Sequence, residues 1–466
     1  MSGLFQGLEV GKRALLTHQL SMSTIGHNMA NVGTEGYTRQ RVRVVTAMPI
    51  EMANYNVGNG VTAQSIEHVR DLFLTSQYRR ENKSLGEWTY KEKTLSQIEQ
   101  FFSEPSDNSL GDAMDSFWDS WTTLASGDAD SSTPRNQIIS DATTMINSFH
   151  SLDTQLRELL TTTDQDVVLR VNEINEYAKQ IANLNRLVAS EELGGKNAND
   201  LRDQRDLLID ELSNLVDVKT QERANGTTTV YISGLAIVEN DDTFELGTQA
   251  VKSNNNTVTH KIVWRDTKTT VKITGGELKG LLDMRDSTVS GYMTKLDDMA
   301  EALVEQVNAV HRAGTDLNGN TGIDFFDPIN RTAGSISLNT QIVNDPSMIA
   351  ASLSGEIGDS SNALAIHDLR NSLILDNGGS TVSDYYNTLV GKIGVQTNEA
   401  ITFKANYETL IQQIEISRES VQGVSLDEEM ANLTKMQHAY NAAARVITVM
   451  DEALGTLIQG MGVVGR

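Results

Sequence analysis

Five oxygen-bearing side chains in one short segment come closest to a binding motif in this sequence. They occupy positions one, three, five, nine and twelve of a calcium-loop spacing, and they are Asp316, Asn318, Asn320, Asp324 and Asp327. That spacing gathers carboxylate and amide oxygens around calcium. The sharp turn at position six requires glycine, but Thr321 stands there, Gly322 follows one residue late, and Asp327 replaces the bidentate glutamate. A structural loop is therefore favoured, with calcium as the alternative.

Other patterns that could carry chemistry lack the context that the chemistry needs. Gly460, Gly462 and Gly465 have the spacing of a dinucleotide fingerprint, but the sequence ends directly after them, where a helix is required. The closest histidines, His18 and His27, are nine residues apart, which is unlike a zinc spacing. The chain has no cysteine, which excludes disulfides, thiolate nucleophiles and sulfur-ligated metals. We predict no cofactor and no metal.

A cluster of acids near the C-terminus is the remaining candidate for catalysis. Asp427, Glu428 and Glu429 follow Ser425, and Ser425 with Glu428 has the spacing of a capping box. Helix starts attract carboxylates because their free N–H groups are partially positive. The cluster is therefore interpreted as a helix start, and we predict that no residue is catalytic and that the chain is not an enzyme.

Composition restricts the possible partners. The 466 residues include 38 Lys and Arg against 62 Asp and Glu, a net charge of -24. Such a charge repels phosphate backbones and anionic lipid surfaces, so neither nucleic acid nor membrane is expected as a partner. No stretch approaches the ~20 consecutive apolar residues of a membrane span. The N-terminal segment also lacks the pattern of a cleavable secretory signal.

Both ends of the chain carry the apolar spacing of coiled-coil helices, in steps of three and four residues. At the N-terminal end, Gly11 and His18 complete a seam formed by Leu4, Leu8, Leu15, Met22, Ile25 and Met29. At the C-terminal end the seam comprises Leu433, Met436, Tyr440, Ala443, Ile447, Met450, Leu454, Leu457 and Met461. Thr24 and Thr448 fall on the expected polar faces. We predict that the seams form the assembly interface.

Two further heptad-like runs lie inside the chain. One comprises Val167, Val171, Ile174, Ala178, Ile181 and Val188. The other comprises Leu389, Ile393, Ala400, Phe403, Tyr407, Leu410 and Ile414, and it requires the polar residue Gln396 in its seam. Sustained heptads keep one apolar stripe facing a partner helix over many turns. The sequence therefore predicts a mainly α fold of long terminal and central helices in coiled-coil-like bundles.

The segment 216–275 has a different pattern. Short β-branched runs alternate there with turn signals such as Asn225-Gly226 and Asn240-Asp241. We predict a small inserted β domain that projects from the helices, with helical sequence resuming near Gly276 and continuing to Ala313. The predicted domains are 1–36 with 426–466 as a terminal coiled-coil assembly domain, 37–215 with 276–425 as a helical body, and 216–275 as the β insert.

The segment after the first helix carries a recognisable motif. Residues 28–40 read NMANVGTEGYTRQ, and the residues that carry the motif are Asn28, Ala30, Asn31, Thr34, Gly36, Tyr37, Arg39 and Gln40. This stretch resembles the N-terminal signature of flagellar axial proteins. The segment from Ser425 and Glu428 to Gln437 is similar to the C-terminal signature of the same family. Residues 308–326 and 358–369 resemble internal motifs of its hook-associated members.

Arg39, Arg41 and Arg43 alternate along a predicted extended segment, so all three lie on one face. One interpretation is a solvated strand face. The other is ion pairing with carboxylates of the next subunit in an acidic assembly.

The resemblance implies a structural subunit of the bacterial flagellum that forms the junction between hook and filament, with polymerisation through paired terminal helices. The implied partners are identical subunits in a ring, the hook protein, hook-associated protein 3 on the filament side, and a flagellar export chaperone. The implied location is extracellular, after secretion through type III export without a cleaved signal. A hook or distal-rod axial protein is the alternative within the family. A hydrolytic flagellar accessory is the alternative outside it, and it needs an acid pair or metal site that the sequence does not show.

Overall fold

The computed structural model describes residues 2–52, 55–102, 109–127, 129–252 and 258–461. Most of this chain is helical, and the strands form small sheets, which confirms the predicted fold class. The helices are α1 (Ser2–Ala30), α2 (Leu72–Phe102), α3 (Leu110–Ser126), α4 (Ser132–Glu192), α5 (Asn199–Leu215), α6 (Glu277–Asp283), α7 (Ser290–Ala313), α8 (Thr340–Asn344), α9 (Ser361–Asp368), α10 (Val382–Gln422) and α11 (Leu426–Met461). None of the helices in these ranges is long and apolar enough to cross a membrane.

The strands are antiparallel and mostly pair with near neighbours. They are β1 (Gln40–Thr46), β2 (Ile50–Met52), β3 (Tyr55–Val57), β4 (Val61–His68), β5 (Val218–Glu222), β6 (Thr228–Ile232), β7 (Leu235–Glu239), β8 (Asp242–Thr243), β9 (Leu246–Lys252) and β10 (Val258–Trp264). β1 pairs with β4, β2 with β3 and β9 with β10, while β5 to β8 form a four-stranded sheet in sequence order.

The two ends of the chain form one antiparallel helix pair. Asn28 near the end of α1 contacts Glu429 near the start of α11. Gly7 and Gly11 then lie against Met450 and Ile447, so the contact continues along both helices. A Cβ atom at Gly11 would lie 2.8 Å from Cγ1 of Ile447, which shows how closely the two backbones approach. The paired terminal helices expected from the heptads are therefore present within one chain.

The 61-residue helix α4 forms the centre of the body. Its predicted apolar run from Val167 to Val188 is buried along its whole length, and α3 and α5 pack against the same helix. At one end of the body, Phe117 and Trp121 of α3 pack against Phe325 in the irregular segment after α7. The helical pattern predicted from 276 to 313 is α6 and α7, separated by a π-helical turn (Met284–Val289).

The predicted seam of α10 needs correction at two places. Leu389, Ile393 and Ala400 are buried as expected, but Thr397 is buried in the next position, while Gln396 is only half-buried. The hydroxyl of Thr397 donates to the carbonyl of Ile393 at 3.0 Å, which removes the cost of burying it. Phe403 is exposed, and its ring stacks on Trp88 of α2 with 4.5 Å between centroids.

The segment 216–275 has the predicted β structure, but it does not project freely from the helices. The apolar sides of its strands join the same core as α4. The side chain of Asn175 on α4 bonds both backbone groups of Leu246 in β9, accepting from N–H at 2.8 Å and donating to C=O at 2.9 Å. Asn185 does the same for Thr228 in β6. These amides tie the strand edges to the long helix, since each replaces a ladder partner.

Candidate assembly site at the paired chain ends

The side chain of Asn28 joins the two terminal helices to the motif between them. It is 1% exposed, and its amide makes four hydrogen bonds. The Nδ2 group donates to the carbonyl of Gln40 at 2.9 Å and to Oε2 of Glu429 at 3.0 Å. The Oδ1 atom accepts from the hydroxyl of Tyr37 at 2.8 Å and from the backbone N–H of Gln40 at 3.0 Å. Four bonds to three segments fix the geometry at which α1, the motif loop and α11 meet.

Arg39 reinforces this contact through the acids at the start of α11. Its guanidinium lies 2.9 Å from Oε2 of Glu428 and 3.0 Å from Oε1 of Glu429. Glu429 is 2% exposed, and both of its carboxylate oxygens accept from donors within the first forty residues, Arg39 and Asn28. Glu428 therefore does not complete the predicted capping box. Only the Ser425 half is present, with Oγ accepting from N–H of Glu428 at 3.5 Å.

The remaining motif residues hold the loop in shape or lie at the surface. Gly36 has φ of +74°, and a Cβ atom there would lie 3.2 Å from Leu207, so the position suits glycine. Asn31 donates to the carbonyl of His27 at 3.0 Å and Thr34 to Oδ1 of Asn31 at 3.2 Å. Ala30 and Gln437 are exposed and lie outside the cluster.

The environment of Tyr37 is dominated by burial and by negative charge. Burial, followed by the carboxylates of Asp200, Asp203 and Glu429, raises the pKa of the Tyr37 hydroxyl far above its usual value. The phenol is therefore protonated at neutral pH, and its hydrogen is available to Asn28.

Helix α5 supplies an acidic stripe that sequence analysis missed. Asp203 accepts from the N–H of Thr38 at 2.9 Å and from its hydroxyl at 2.7 Å, and it lies 3.2 Å from Nδ1 of His68. One turn before it, Asp200 accepts from Nε2 of Gln40 at 2.6 Å. The aspartates at 200, 203, 206 and 210 follow steps of three and four, which places them on one helix face. That spacing could have predicted the acidic stripe from the sequence.

The far half of the stripe binds three arginines. Asp206 pairs with Arg70, and with Arg79 at 3.2 Å. Asp210 pairs with Arg79 at 2.5 Å and with Arg418 of α10 at 3.0 Å. Burial alone raises the pKa of Asp206, but the neighbouring arginines hold it below its usual value. Through α5, the motif loop is thus attached to α2 and α10 of the body.

Two of the alternating arginines form ion pairs within the chain. Arg39 pairs with the start of α11, as described above. Arg43 lies 3.2 Å from Glu67, which is on the partner strand β4, and Arg41 stands opposite Glu67 in the register. Carboxylates of the same chain therefore pair with Arg39 and Arg43 in the single subunit, while pairing of these arginines with a neighbouring subunit stays a prediction.

Most residues of the predicted seams are half-buried, and Gly11 of the first seam faces Ile447 of the second. The half-buried members are Leu8, Leu15, Met22, Met29, Leu433, Met436, Tyr440, Ile447, Met450 and Leu454. Ile25 and Ala443 are buried, whereas Leu457 is exposed. The side chains of Leu4 and Met461 lie outside the described residues.

A second buried stripe on α1 is polar and was not anticipated. Thr17, Thr24 and Asn28 are all buried, although Thr24 was assigned to a solvated face. The hydroxyl of Thr24 donates to the carbonyl of Leu20 at 3.0 Å, so its burial leaves no unpaired donor. Thr448 on α11 is exposed as expected.

Both terminal helices also carry exposed apolar side chains on faces that none of the described residues covers. On α1 these are Phe5, Leu16 and Leu20, which fall within roughly 60° of one another at 3.6 residues per turn. Their mean direction is roughly 140° from that of the α1 seam. On α11, Val446 and Val449 form a similar face roughly 110° from its seam. We call these the outer faces of α1 and α11.

The candidate calcium loop is closed by its own hydrogen bonds. Oδ1 of Asp316 accepts from the N–H groups of Asn318 and Asn320 at 2.8 and 2.7 Å, and Oδ2 accepts from Nδ2 of Asn320 at 3.0 Å. Asp324 instead lies 3.2 Å from Arg312, and Asp327 bonds the N–H of Ile329. The five side chains therefore do not point toward one common site for an ion. Within the described ranges, no group of three or more His, Asp or Glu residues is arranged to hold a metal ion.

Neither histidine of the first helix belongs to a metal-binding group among the described residues. His27 is exposed and lies 3.3 Å from Asp200, and His18 is half-buried. Gly460 belongs to the end of α11, while Gly462 and Gly465 lie outside the described residues.

Comparison with known proteins identifies the family. The chain is 34% identical to flagellar hook-associated protein 1 of Bacillus subtilis (strain 168), over 100% of both chains. The chain belongs to the flagellar hook-associated protein 1 family. It is also 27% identical to the protein of that name from Salmonella typhimurium, over 94% of this chain and 97% of the relative, and 26% identical to that of Escherichia coli (strain K12), over 98% and 100%.

Two family models match parts of the chain, and a solved structure shares its fold. Residues 95–326 match the flagellar hook-associated protein FlgK helical domain, and residues 420–460 match the flagellar basal body rod FlgEFG protein C-terminal region. The fold is similar to that of the flagellar hook junction protein FlgK from Burkholderia pseudomallei, with a TM-score of 0.67 and 18% identity, over 74% of this chain and 100% of that chain. Hook-associated protein 1 is a structural protein of the hook-filament junction, and this chain is a structural flagellar subunit of that family.

Proposed function

We propose that this subunit polymerises at the hook-filament junction through the helix pair α1 and α11. The observation that carries the proposal is the pair of outer faces. Phe5 and Leu16 on α1 and Val449 on α11 are 58%, 55% and 60% exposed, on sides of the helices that the intramolecular seam does not use. Exposed apolar stripes along a long helix pair favour packing against further helices. In this mechanism the seams hold each subunit together and the outer faces join it to its neighbours.

The assembly domain comprises residues 1–36 and 426–466, the helical body 37–215 and 276–425, and the β segment 216–275. The contact between Asn28 and Glu429 supports joining the two chain ends into one unit. The ion pairs of α5 with Arg79 and Arg418 support a rigid connection from that unit to the body. The shared core of α4 and the β segment indicates that the β segment stiffens the body.

The partners follow from the family. They are identical subunits in a ring, the hook protein on one side, hook-associated protein 3 on the filament side, and a flagellar export chaperone before assembly. The subunit is secreted through the flagellar export channel and works outside the cell. Its role is structural and not enzymatic, in keeping with a family of flagellar assembly proteins.

A hook or distal-rod protein is the alternative axial role. The match to rod proteins at residues 420–460 favours it, but that match is confined to the C-terminal helix, whereas the hook-associated relatives align over nearly the whole chain. Immuno-electron microscopy of isolated flagella separates the two roles. A band at the distal end of the hook supports the junction, and label along the hook or on the rod contradicts it.

A further inference from the structure

Two surfaces of opposite charge meet at the ion pair between Arg70 and Asp206. The first, the cationic groove, is a cavity of about 710 Å³ between α2 and β5. Its basic lining residues are Arg70, Arg79, Arg80, Lys83, Arg205 and Lys219, against the acids Asp206, Asp217 and Glu222. A net positive groove is unusual in a chain whose net charge is -24.

Two of these cations lack a carboxylate partner among the described residues. Among the described residues, Lys219 and Arg205 form no ion pair, and Arg80 has only Glu81 at 3.5 Å. Arg205 is 1% exposed, and the partners of its Nη1 atom are neutral oxygens of Asn185 and Gly226 at 3.0 and 2.7 Å. Its Nε atom is buried without a hydrogen-bond partner. Arg205 therefore adds a positive charge beneath the groove that no carboxylate of the described residues pairs with, while Lys219 and Arg80 are exposed at its surface.

The second surface, the acidic cleft, is a cavity of about 370 Å³ between the motif loop, α5 and the end of α10. Glu35, Glu211, Glu415 and Glu419 line it, and all four are exposed. None of them forms an ion pair within the part of the chain that the structure describes. The two cations in the lining, Arg70 and Arg418, are already paired with Asp206 and Asp210. The four carboxylates therefore repel one another without compensation in the free subunit.

We propose that the exposed carboxylates lining the acidic cleft of one copy form ion pairs with the exposed cations of the cationic groove of the next. The occupant is a second copy because the same chain carries both complementary surfaces, each with charges that the free subunit leaves unpaired. The contact joins different patches on the two copies, and such heterologous contacts generate rings or helical arrays of subunits. The inference rests on the proposed assembly function, and it adds a body-to-body contact to the packing of α1 and α11.

Cross-linking in assembled flagella tests the contact directly, because the natural chain has no cysteine. A Lys219→Cys, Glu419→Cys double variant is expressed in place of the natural subunit, and isolated flagella that carry filaments are treated with a short bismaleimide. The expected product is a ladder of covalently linked copies, whereas each single variant gives no ladder. Absence of the ladder in variants that assemble at the junction overturns this inference and leaves the assembly function standing. Cross-links to a different flagellar protein show that the occupant is not a second copy.

Charge-reversal variants provide a second test of the same contact. Lys219→Glu and Glu419→Lys should each reduce the number of attached filaments by about tenfold or more, because each sets like charges against one another, and the two together should restore attachment. Lys261→Glu, an exposed lysine on β10 outside the groove, is the matched control and should assemble normally. Equal loss in the single and double variants contradicts the proposed pairing. Far-ultraviolet circular dichroism of each purified variant confirms that it is folded.

Discussion

The amide of Asn28 and the carboxylate of Glu429 lie 3.0 Å apart, although 401 positions separate them in the chain. The contact closes almost the whole chain into one loop, so α1 and α11 act as one element. It is also where both signatures of the family meet, since Arg39 and Gln40 reach the same place. The conformation of the motif is thus tied to the pairing of the chain ends.

Replacing Asn28 should uncouple the two ends. Asn28→Asp puts a second carboxylate against Oε2 of Glu429 and removes the donor to the carbonyl of Gln40. We expect a loss of about 3 kcal/mol in the free energy of unfolding, because buried partners lose their hydrogen bonds. Urea titration followed by circular dichroism measures it. Asn31→Asp is the control on a half-buried side chain that does not contact α11, and equal losses in both variants would show that the buried amide has no special role.

Close approach of the terminal helices can be tested at two glycines of the same helix. A Cβ atom added at Gly11 would lie only 2.8 Å from Ile447. Gly11→Val adds a whole branched side chain there and should destabilise the helix pair by about 1–3 kcal/mol. At Gly26 a Cβ atom meets nothing within 4 Å. Gly26→Ala should therefore be neutral or stabilise the helix by up to about 1 kcal/mol. The melting temperatures of both variants test this expectation. An unchanged melting temperature for Gly11→Val would contradict the intramolecular pairing of α1 and α11.

Acid should destabilise the body through His311. Burial lowers the pKa of this imidazole from 6.5 to about 4. Its Nε2 atom accepts from the N–H of Ala350 at 2.9 Å, and its other nitrogen lies 2.7 Å from the carbonyl of Ile323. The unfolded chain binds the proton more readily, so the unfolding free energy falls as pH drops from about 6.5 to about 4, by up to ~1.4 kcal/mol per pH unit. Above that window the contribution is constant.

The matched variant is His311→Gln, whose amide can donate to one carbonyl and accept from one N–H but does not titrate. The difference in unfolding free energy between the two proteins should change between about pH 4 and 6.5 and be flat above. Because the carboxylates titrate in both proteins, their contribution cancels. A constant difference across the whole range would contradict this assignment.

The Asp316 loop should be indifferent to calcium. Both carboxylate oxygens of Asp316 accept from Asn318 and Asn320, and the other acids of the segment point to separate partners. Adding millimolar calcium to the metal-free protein should leave its melting temperature unchanged, while Asp316→Ala should lower it. A rise with calcium that Asp316→Ala abolishes would establish the site after all.

Periodicity predicted the elements whose apolar residues face one direction along a whole helix. The run from Val167 to Val188 needs only one buried stripe, and the structure buries it as the spacing indicates. The seams of α1 and α11 are also apolar stripes of this kind. Pattern alone could not show that they meet each other within one chain, because a heptad specifies a partner helix but not which one.

Residues that depend on tertiary partners were harder to predict. Thr24 and Thr397 are polar by type, but each satisfies its hydroxyl on its own helix and is then free to be buried. Arg39 has the appearance of an exposed strand residue until α11 places Glu429 beside it. The spacing of the aspartates predicts the acidic stripe of α5. Its arginine partners on α2 and α10 could not be predicted, because they are far from α5 in the sequence.

The central claim is that the outer faces of α1 and α11 join neighbouring subunits, and acidic substitution tests it most directly. Val449→Asp and Leu16→Asp place a charge on an outer face, where water solvates it in the free subunit but a neighbouring helix would bury it in the assembly at a cost of several kcal/mol. Seam positions such as Ile25 are unsuitable, because Ile25 is already buried in the free subunit.

Thr448→Asp, one residue from Val449 and exposed on another side of α11, is the matched control. The measurement is the fraction of hooks that carry filaments, counted by electron microscopy for cells producing each variant, together with the melting temperature of each purified protein. We expect near-normal melting for all three variants, bare hooks for Val449→Asp and Leu16→Asp, and normal filaments for Thr448→Asp. Normal filaments from both outer-face variants would contradict this expectation.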